Sequence, residues 1–447
     1  MNKSAFNRMF VCAVLVSTLV VSGCQTYHPK PLPTAPDLLR TPTLTVPASQ
    51  FNLPGLKPHP IPPNGLDETA VVTLAVLNNP DLKAARLAAG VAAAQLVEAG
   101  LLPDPVVSGG VAKSTRLTGY NVGLSEDIQA LITRGAAKAA AKARARQVNL
   151  DILWQEWQVA EKARELFIQS RADDALQRVA AATRDLLAGR YQRDNMALEA
   201  NAVTANTVSA DLAALTDAET TVRQLQLEAN QTRHNLNLLL GLEPTVQLHL
   251  IGQNENRLLS REQFQAAVAA LPHRRADLLA LQAGYQSQEQ LLREAILAQF
   301  PSMSAGVEPG RDPAEGVKTV GLTVNVTLPL FNRNQGQIAI RRATRALLRQ
   351  TYQARLDKAA NESDQVWQAA HILERQLRNL QSRLLELSKT ARAAEESFRQ
   401  GNLDFSAYVS MQLNSQAEQA QAIRLRALLE QAKNVLKTML GCPSTSE

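Results

Sequence analysis

Thr319-Val320-Gly321-Leu322-Thr323-Val324-Asn325-Val326-Thr327-Leu328 alternates without exception. In an extended chain Val320, Leu322, Val324, Val326 and Leu328 share one face, and Thr319, Gly321, Thr323, Asn325 and Thr327 share the other. About 10 residues with a period of two match a β-strand whose outside meets lipid and whose inside meets water. Weaker versions of the pattern occur at Val107, Gly109 and Val111, at Tyr120, Val122 and Leu124, and at Met303, Ala305 and Val307. The competing reading is an amphipathic hairpin packed on a helix in a soluble α+β protein. In lipid every backbone donor and acceptor needs a partner, so strands there must close into a barrel, and the smallest usual barrel has about 8. Four candidate strands cannot close alone. Several chains must contribute, and three copies would supply 12 strands.

The residues around the strands describe long helices. The 447-residue chain is 45% hydrophobic yet only 4% aromatic, and Ala, Leu, Gln, Glu and Arg fill long stretches, which excludes collagen, disorder and a disulfide scaffold. Beyond the N-terminus no uninterrupted apolar run of about 18 residues exists, which excludes a polytopic helical membrane protein. Leu150, Leu153, Trp157, Ala160, Arg164 and Phe167 follow three-and-four spacing, as do Leu373, Leu377, Leu380, Leu384 and Leu387. Such narrow stripes suit coiled-coil pairs.

Comparing the chain with itself at a shift of about 196 residues pairs Asp81-Leu82 with Asp277-Leu278, Glu98 with Glu294, Pro105 with Pro301, and Gly110-Val111 with Gly306-Val307. Each half then reads helix, strand, loop, strand, long helix, break, helix. In the first half the spacing predicts a long helix from near Gly135 to Leu187, on the order of 80 Å, and a break at Gly189 to Asn195. In the second it predicts a strand near Met303 to Glu308, a loop through Pro309, Gly310 and Gly316, a long helix from Gly336 to Phe398, and a break at Gly401-Asn402. The expected fold is mainly α with a small β part, two internal repeats of long antiparallel helices with two β-strands each. The expected boundaries are 1–23, a removable signal; 24–65, a Pro-rich tether; 66–244, the first repeat; 245–262, a connector; 263–441, the second repeat; and 442–447, a tail.

The signal rests on Lys3 and Arg8, the apolar run Met9 to Val21, and Val21-Ser22-Gly23-Cys24. It resembles a bacterial lipoprotein signal, which implies cleavage before Cys24 and acylation there, palmitate included; Gln25 by the same resemblance favours outer-membrane sorting. An ordinary signal peptide with an incidental Cys is the alternative. Pro-rich residues 25 to about 65 read as an extended tether. With Cys12 removed and Cys24 lipidated, Cys442 remains as the one thiol, so no disulfide or metal framework can be built.

The formal charge of +6 invites a nucleic-acid reading, but the basic residues are interleaved with acids. The best basic stripe, Arg341, Arg345 and Arg349, reads as a solvated or partner-facing helix surface. Six scattered His, no phosphate-binding Gly loop and no catalytic triad context argue against an enzyme, and no metal or cofactor is expected.

Four motifs now align with a known family: Leu77-Asn78-Asn79-Pro80-Asp81-Leu82, the ending Leu238-Leu239-Leu240-Gly241, the corner Leu328-Pro329-Leu330-Phe331-Asn332-Arg333-Asn334-Gln335-Gly336, and Phe398-Arg399-Gln400-Gly401-Asn402-Leu403. They resemble the TolC family of outer-membrane efflux proteins, in its lipoprotein-type branch, from about residue 66 onward. The resemblance implies a homotrimer forming a 12-stranded outer-membrane β-barrel continuous with a periplasmic α-helical barrel, a lipid-anchored passive exit duct. It implies a periplasmic membrane-fusion adaptor and an inner-membrane pump driven by proton exchange as partners, and heavy-metal cations or drugs as cargo. Type I protein secretion and a lipid-anchored periplasmic coiled-coil scaffold are the alternatives.

At the corner, Pro329 would end the strand, Asn332 or Asn334 would cap the long helix, and Gly336 would permit the turn beside Phe331. The first half lacks this element, having Gln129-Ala130-Leu131-Ile132-Thr133-Arg134-Gly135 instead. The resemblance makes the two breaks the adaptor-facing tips, with Arg193, Asp194, Asn195, Gly401, Asn402 and Leu403 as contact residues and Asp194 as the counterpart of Gly401. Asp194, Glu199 and Asp404 are the candidates for a pore gate.

Overall fold

A computed structural model describes residues 27–43, 64–114, 117–252 and 257–441. The expected signal, Cys24, most of the tether and the tail with Cys442 lie outside the described residues. The chain divides into two units at Leu38, and the described residues before that point are extended.

Helix boundaries follow the side chains available to cap them. Asp67 accepts from the Ala70 amide at 2.7 Å and opens α1 (Glu68–Asn78). Asn79 then breaks the helix, its Oδ1 accepting from the Leu82 amide at 3.0 Å, and Pro80 starts α2 (Pro80–Glu98) where a missing N–H costs nothing. Strands β1 (Val106–Lys113) and β2 (Thr118–Asp127) lead into α3 (Ile128–Glu199), which returns as α4 (Ala205–Leu239). The second half runs α5 (Arg261–Ala269), α6 (Leu271–Arg274), α7 (Ala276–Leu297), β3 (Ser302–Arg311), β4 (Lys318–Thr327), α8 (Gln335–Arg399) and α9 (Phe405–Met439). A Ser260–Gln263 capping box starts α5. At 1.5 Å per residue the 72 residues of α3 and the 65 of α8 extend for about 108 and 98 Å.

The main core lies midway along these rods. Every residue of α1 from Ala70 to Asn78 is buried. Its apolar side chains pack on Trp157, Ala160, Ala163 and Phe167 of α3 and on Leu236 and Leu240 at the end of α4. In the second half Phe264, Leu271 and Leu278 pack on Ala359 of α8 and on Leu436 and Leu440. Small residues at the crossings let the helices close up, so burial is achieved with few aromatics. The narrow stripes read from the sequence are the packed faces: Trp157, Ala160, Arg164 and Phe167 are buried, as are Leu377 and Leu380. Buried Arg164 meets Glu68 at 3.2 Å. Asp277 is held by Arg275 at 2.8 Å and by Arg355 at 2.7 Å.

The halves anchor their helix ends by matching contacts. Asn79 Nδ2 donates to the Leu239 carbonyl at 3.1 Å, and Arg275 Nη1 donates to the Met439 carbonyl at 3.3 Å. Gly241 and Gly441 follow those ends at φ 67° and 71°, where a side chain would be strained and would press on the Asn78 carbonyl or on Arg274.

Four expectations need correction. The first long helix does not run from Gly135 to Leu187 with a break at 189–195. It starts at Ile128, because Asp127 caps it by accepting from the Ala130 amide at 3.0 Å, and it continues through both Gly135 and Gly189 to Glu199. A helical Gly costs only about 1 kcal/mol, and Gly189 faces the Phe405 ring. The true reversal is at residues 200–204. Asn201 adopts φ 55° there, so the counterpart of Gly401 (φ 75°) is Asn201 and not Asp194.

Both reversals close by the same pair of hydrogen bonds. Ala202 N donates to Ala197 O and Asn201 N to Leu198 O; Asn402 N donates to Ser397 O and Gly401 N to Phe398 O. This is the Schellman pattern.

At the corner, Gly336 is inside the first turn of α8 with nothing near its would-be Cβ. The left-handed residue is Asn334, at φ 60°, and its side chain donates to the Ala295 carbonyl at 2.9 Å instead of capping the helix. Finally, Pro309 and Gly310 belong to β3, not to a loop. Of the basic stripe, Arg345 lies 3.4 Å from Glu289.

Candidate functional site: an uncovered sheet and two helical tips

The four strands form one antiparallel sheet in the order β1-β2-β3-β4, with β1 and β4 as open edges. The register aligns the alternations of all four. Val107 pairs with Leu124, Leu124 with Val307, and Val307 with Leu322, in one row across the sheet. The rows on either side add Val122, Ala305 and Val324 to the same face. Among the described residues that face is uncovered: Val111 is 77% exposed, Val320 76% and Leu322 83%. Gly, Ser, Thr and Asn dominate the opposite face, with Glu308 at its middle. Pro309 keeps its pairing with Val320 in β4, while the pairing with β2 lapses at Glu308 and Pro309, as a residue without an N–H requires. Beyond the sheet, Leu330 and Phe331 at the corner are also exposed, Phe331 at 93%. Pro329 stands two residues beyond Thr327, the last paired residue of β4, and Asn332 Oδ1 accepts from the Asn334 amide at 3.0 Å.

At the far ends of the long helices the expected tip residues separate. Gly401, Asn402 and Leu403 form the α8–α9 reversal. Arg193, Asp194 and Asn195 sit inside the last turns of α3, short of the other reversal. Arg193 crosses to the second hairpin, its guanidinium 4.0 Å from the centre of the Phe405 ring and 5.6 Å from that of Phe398. Phe398 in turn stacks on Tyr408 at 4.9 Å. Asp404, a gate candidate, is occupied as the N-cap of α9 and accepts from the Ala407 amide at 2.9 Å. Glu199 ends α3 and is exposed.

Asp194 has a partner that the sequence did not single out. Arg190 donates to Asp211 Oδ1 of α4 at 2.8 Å and lies 3.9 Å from Asp194. Asp211 is buried, and among the described residues its Oδ2 has no donor. Burial and the neighbouring Asp194 carboxyl push Asp211 up to about 6, against the pull of Arg190. Proximity of Phe398, Phe405 and Tyr408 in so aromatic-poor a chain was a legible signal of this cluster; Asp211 carried none.

Among the described residues no helix is long and apolar enough to cross a membrane, and no group of three His, Cys, Asp or Glu could hold a metal ion. The chain thus sets a four-stranded sheet at one end of two helical hairpins. Solved structures share this fold. The chain is similar to the Campylobacter jejuni CmeC outer membrane channel (TM-score 0.69, 17% identity, covering 85% of this chain and 87% of that one). It is similar also to CusC, solved in a study of folding and transmembrane channel formation (0.67, 17%, 91% and 99%), and to the outer-membrane channel OprN (0.69, 14%, 94% and 99%). No family model and no curated protein matches the chain. The chain therefore has the TolC-like outer-membrane channel fold that its sequence motifs resemble.

Proposed function

We propose that this chain is the outer-membrane channel subunit of a tripartite efflux pump, a passive exit duct and not an enzyme. The observation that carries the proposal is the four-stranded sheet with two open edges and one continuous exposed apolar face. Three copies pairing β4 of one to β1 of the next satisfy both edges and turn the apolar face to lipid, giving a 12-stranded barrel. The polar face then lines water. The long hairpins continue the duct into the periplasm, where the reversals at 200–204 and 400–404 meet a membrane-fusion adaptor fed by a proton-driven inner-membrane pump. Acylated Cys24 adds an anchor in the outer membrane. The matching helix-end contacts of Asn79 and Arg275 support an origin by internal duplication. Heavy-metal cations or drugs are the proposed cargo, on the strength of the Pro329 to Gly336 corner.

Purified protein in detergent should cross-link as a trimer with a β signal and open ion-conducting pores in a planar bilayer. A monomer that gives no conductance refutes the proposal and leaves the lipid-anchored scaffold in its place.

A further inference from the structure

The apolar face carries charge only at the strand ends, and the charge there is sorted by sign. At the hairpin end stand Lys113 of β1, Arg311 of β3 and Lys318 of β4; at the helix end stands Glu126 of β2. Arg311 and Lys318 are directly paired across β3 and β4, and Tyr120 is paired with Arg311 from the other side. Like charges opposite one another destabilise a sheet. Arg311 Nε donates to the Gly316 carbonyl at 3.0 Å, and among the described residues neither it, Lys318 nor Lys113 meets a carboxylate. Asp312, the nearest acid in sequence, is turned to the amides of Ala314 and Glu315. The outward rim is thus a cationic row flanked by an aromatic phenol, with no counter-charge among the described residues.

We propose that this rim binds the phosphate groups of outer-leaflet lipid, the phosphorylated glycolipid surface that surrounds an outer-membrane barrel. The proposal rests on the barrel reading above, because only closure of the sheet presents this face to lipid and sets the hairpins at the outer leaflet. Arg311 and Lys318 then converge on one phosphate oxygen cluster. Closure also brings the β4 edge of one copy, with Lys318, beside the β1 edge of the next, with Lys113, so each chain boundary carries basic groups of both copies. Arg supplies a planar fork and Lys a point charge, both suited to phosphate. Tyr120 sits where a ring with one polar end is stable, at the boundary between acyl chains and headgroups.

The test uses the full-length protein in detergent, titrated with diphosphoryl lipid A or with the same lipid stripped of its phosphates, and reads the thermal midpoint of the β signal. Diphosphoryl lipid A should raise the midpoint of the unmodified trimer, and the dephosphorylated lipid should not. Each removed charge should weaken the half-saturating concentration roughly fivefold, so R311Q or K318Q alone shifts it about fivefold and the K113Q/R311Q/K318Q variant about a hundredfold. The control R341Q/R349Q on the α8 surface should respond as the unmodified protein does. Equal stabilisation of the triple variant, or equal stabilisation by the dephosphorylated lipid, overturns the proposal while leaving the channel intact. An unmodified chain with no trimer and no β signal overturns the barrel reading and this proposal with it.

Discussion

Leu322→Arg separates a lipid-facing sheet from a soluble one. Leu322 is the fifth of ten residues in β4, between Val320 and Val324 on the apolar face, and is 83% exposed in the single chain. Were the sheet soluble, exchanging so exposed a Leu for Arg would change stability by no more than about 0.5 kcal/mol. In a barrel wall the fifth position of ten lies near the bilayer midplane, where an outward Arg costs about 2–4 kcal/mol per chain. Three copies bring that to roughly 6–12 kcal/mol per trimer, enough to abolish assembly. The cost must also depend on depth and face. Val326→Arg, four residues nearer the strand end, should lose about 1 kcal/mol or less per chain if it reaches the interface, and Thr323→Arg on the polar face should lose almost nothing. The assay is the fraction of protein recovered from the outer membrane as trimer, with the denaturant midpoint of each variant in bilayers. An L322R trimer recovered and unfolding like the unmodified protein, while T323R fails, refutes the assignment of faces.

Glu308→Gln should lower the cation preference of the pore, read as a reversal potential in a salt gradient, because Glu308 is the charged group midway along the polar face; the effect should grow at low ionic strength as screening weakens. Arg193→Ala removes the contact at 4.0 Å to Phe405, and a loss of about 0.5–1 kcal/mol should speed hydrogen exchange at the start of α9 by roughly threefold. Asp211 is pushed up from 3.8 to about 6, so the folded tip keeps a proton that the unfolded chain releases. Its contribution to stability is present in full below pH 3.8 and is lost as pH rises through 6. Proteolysis at residues 200–204 should therefore increase between about pH 4 and 6 and level off above, and Asp211→Asn should flatten that dependence.

Strands and helices were legible because each follows from a local rule. Alternation marks strands, three-and-four spacing marks a packed helix face, and Pro80 marks a helix start. The first-half reversal was not legible because the signs were reversed: Gly189 suggested a break, while the left-handed position was held by Asn201, a residue that tolerates that conformation at some cost. Pro309 failed for a related reason, since only the β2–β3 ladder could show which side of the strand had no need of an N–H. Arg193 was named from the sequence as an adaptor-facing residue, but its stacking on Phe405 joins residues far apart in the chain, and Asp211 became notable only once α4 was laid against α3.

The adjacency of β2 and β3 has a consequence for how the molecule is made. These strands are neighbours in the sheet, yet the chain between Asp127 and Ser302 contains α3 to α7. Joining them closes a loop of a size that is entropically unfavourable and slow to find. Helical hairpins, which fold by local contacts, can form first and bring the two β-hairpins together as they pack side by side. In a single chain β1 and β4 are unpaired edges of the kind that recruits any other strand. Under the proposed trimer, order of assembly becomes part of the design: rods first, sheet second, and closure last, with the matching edges of its own kind.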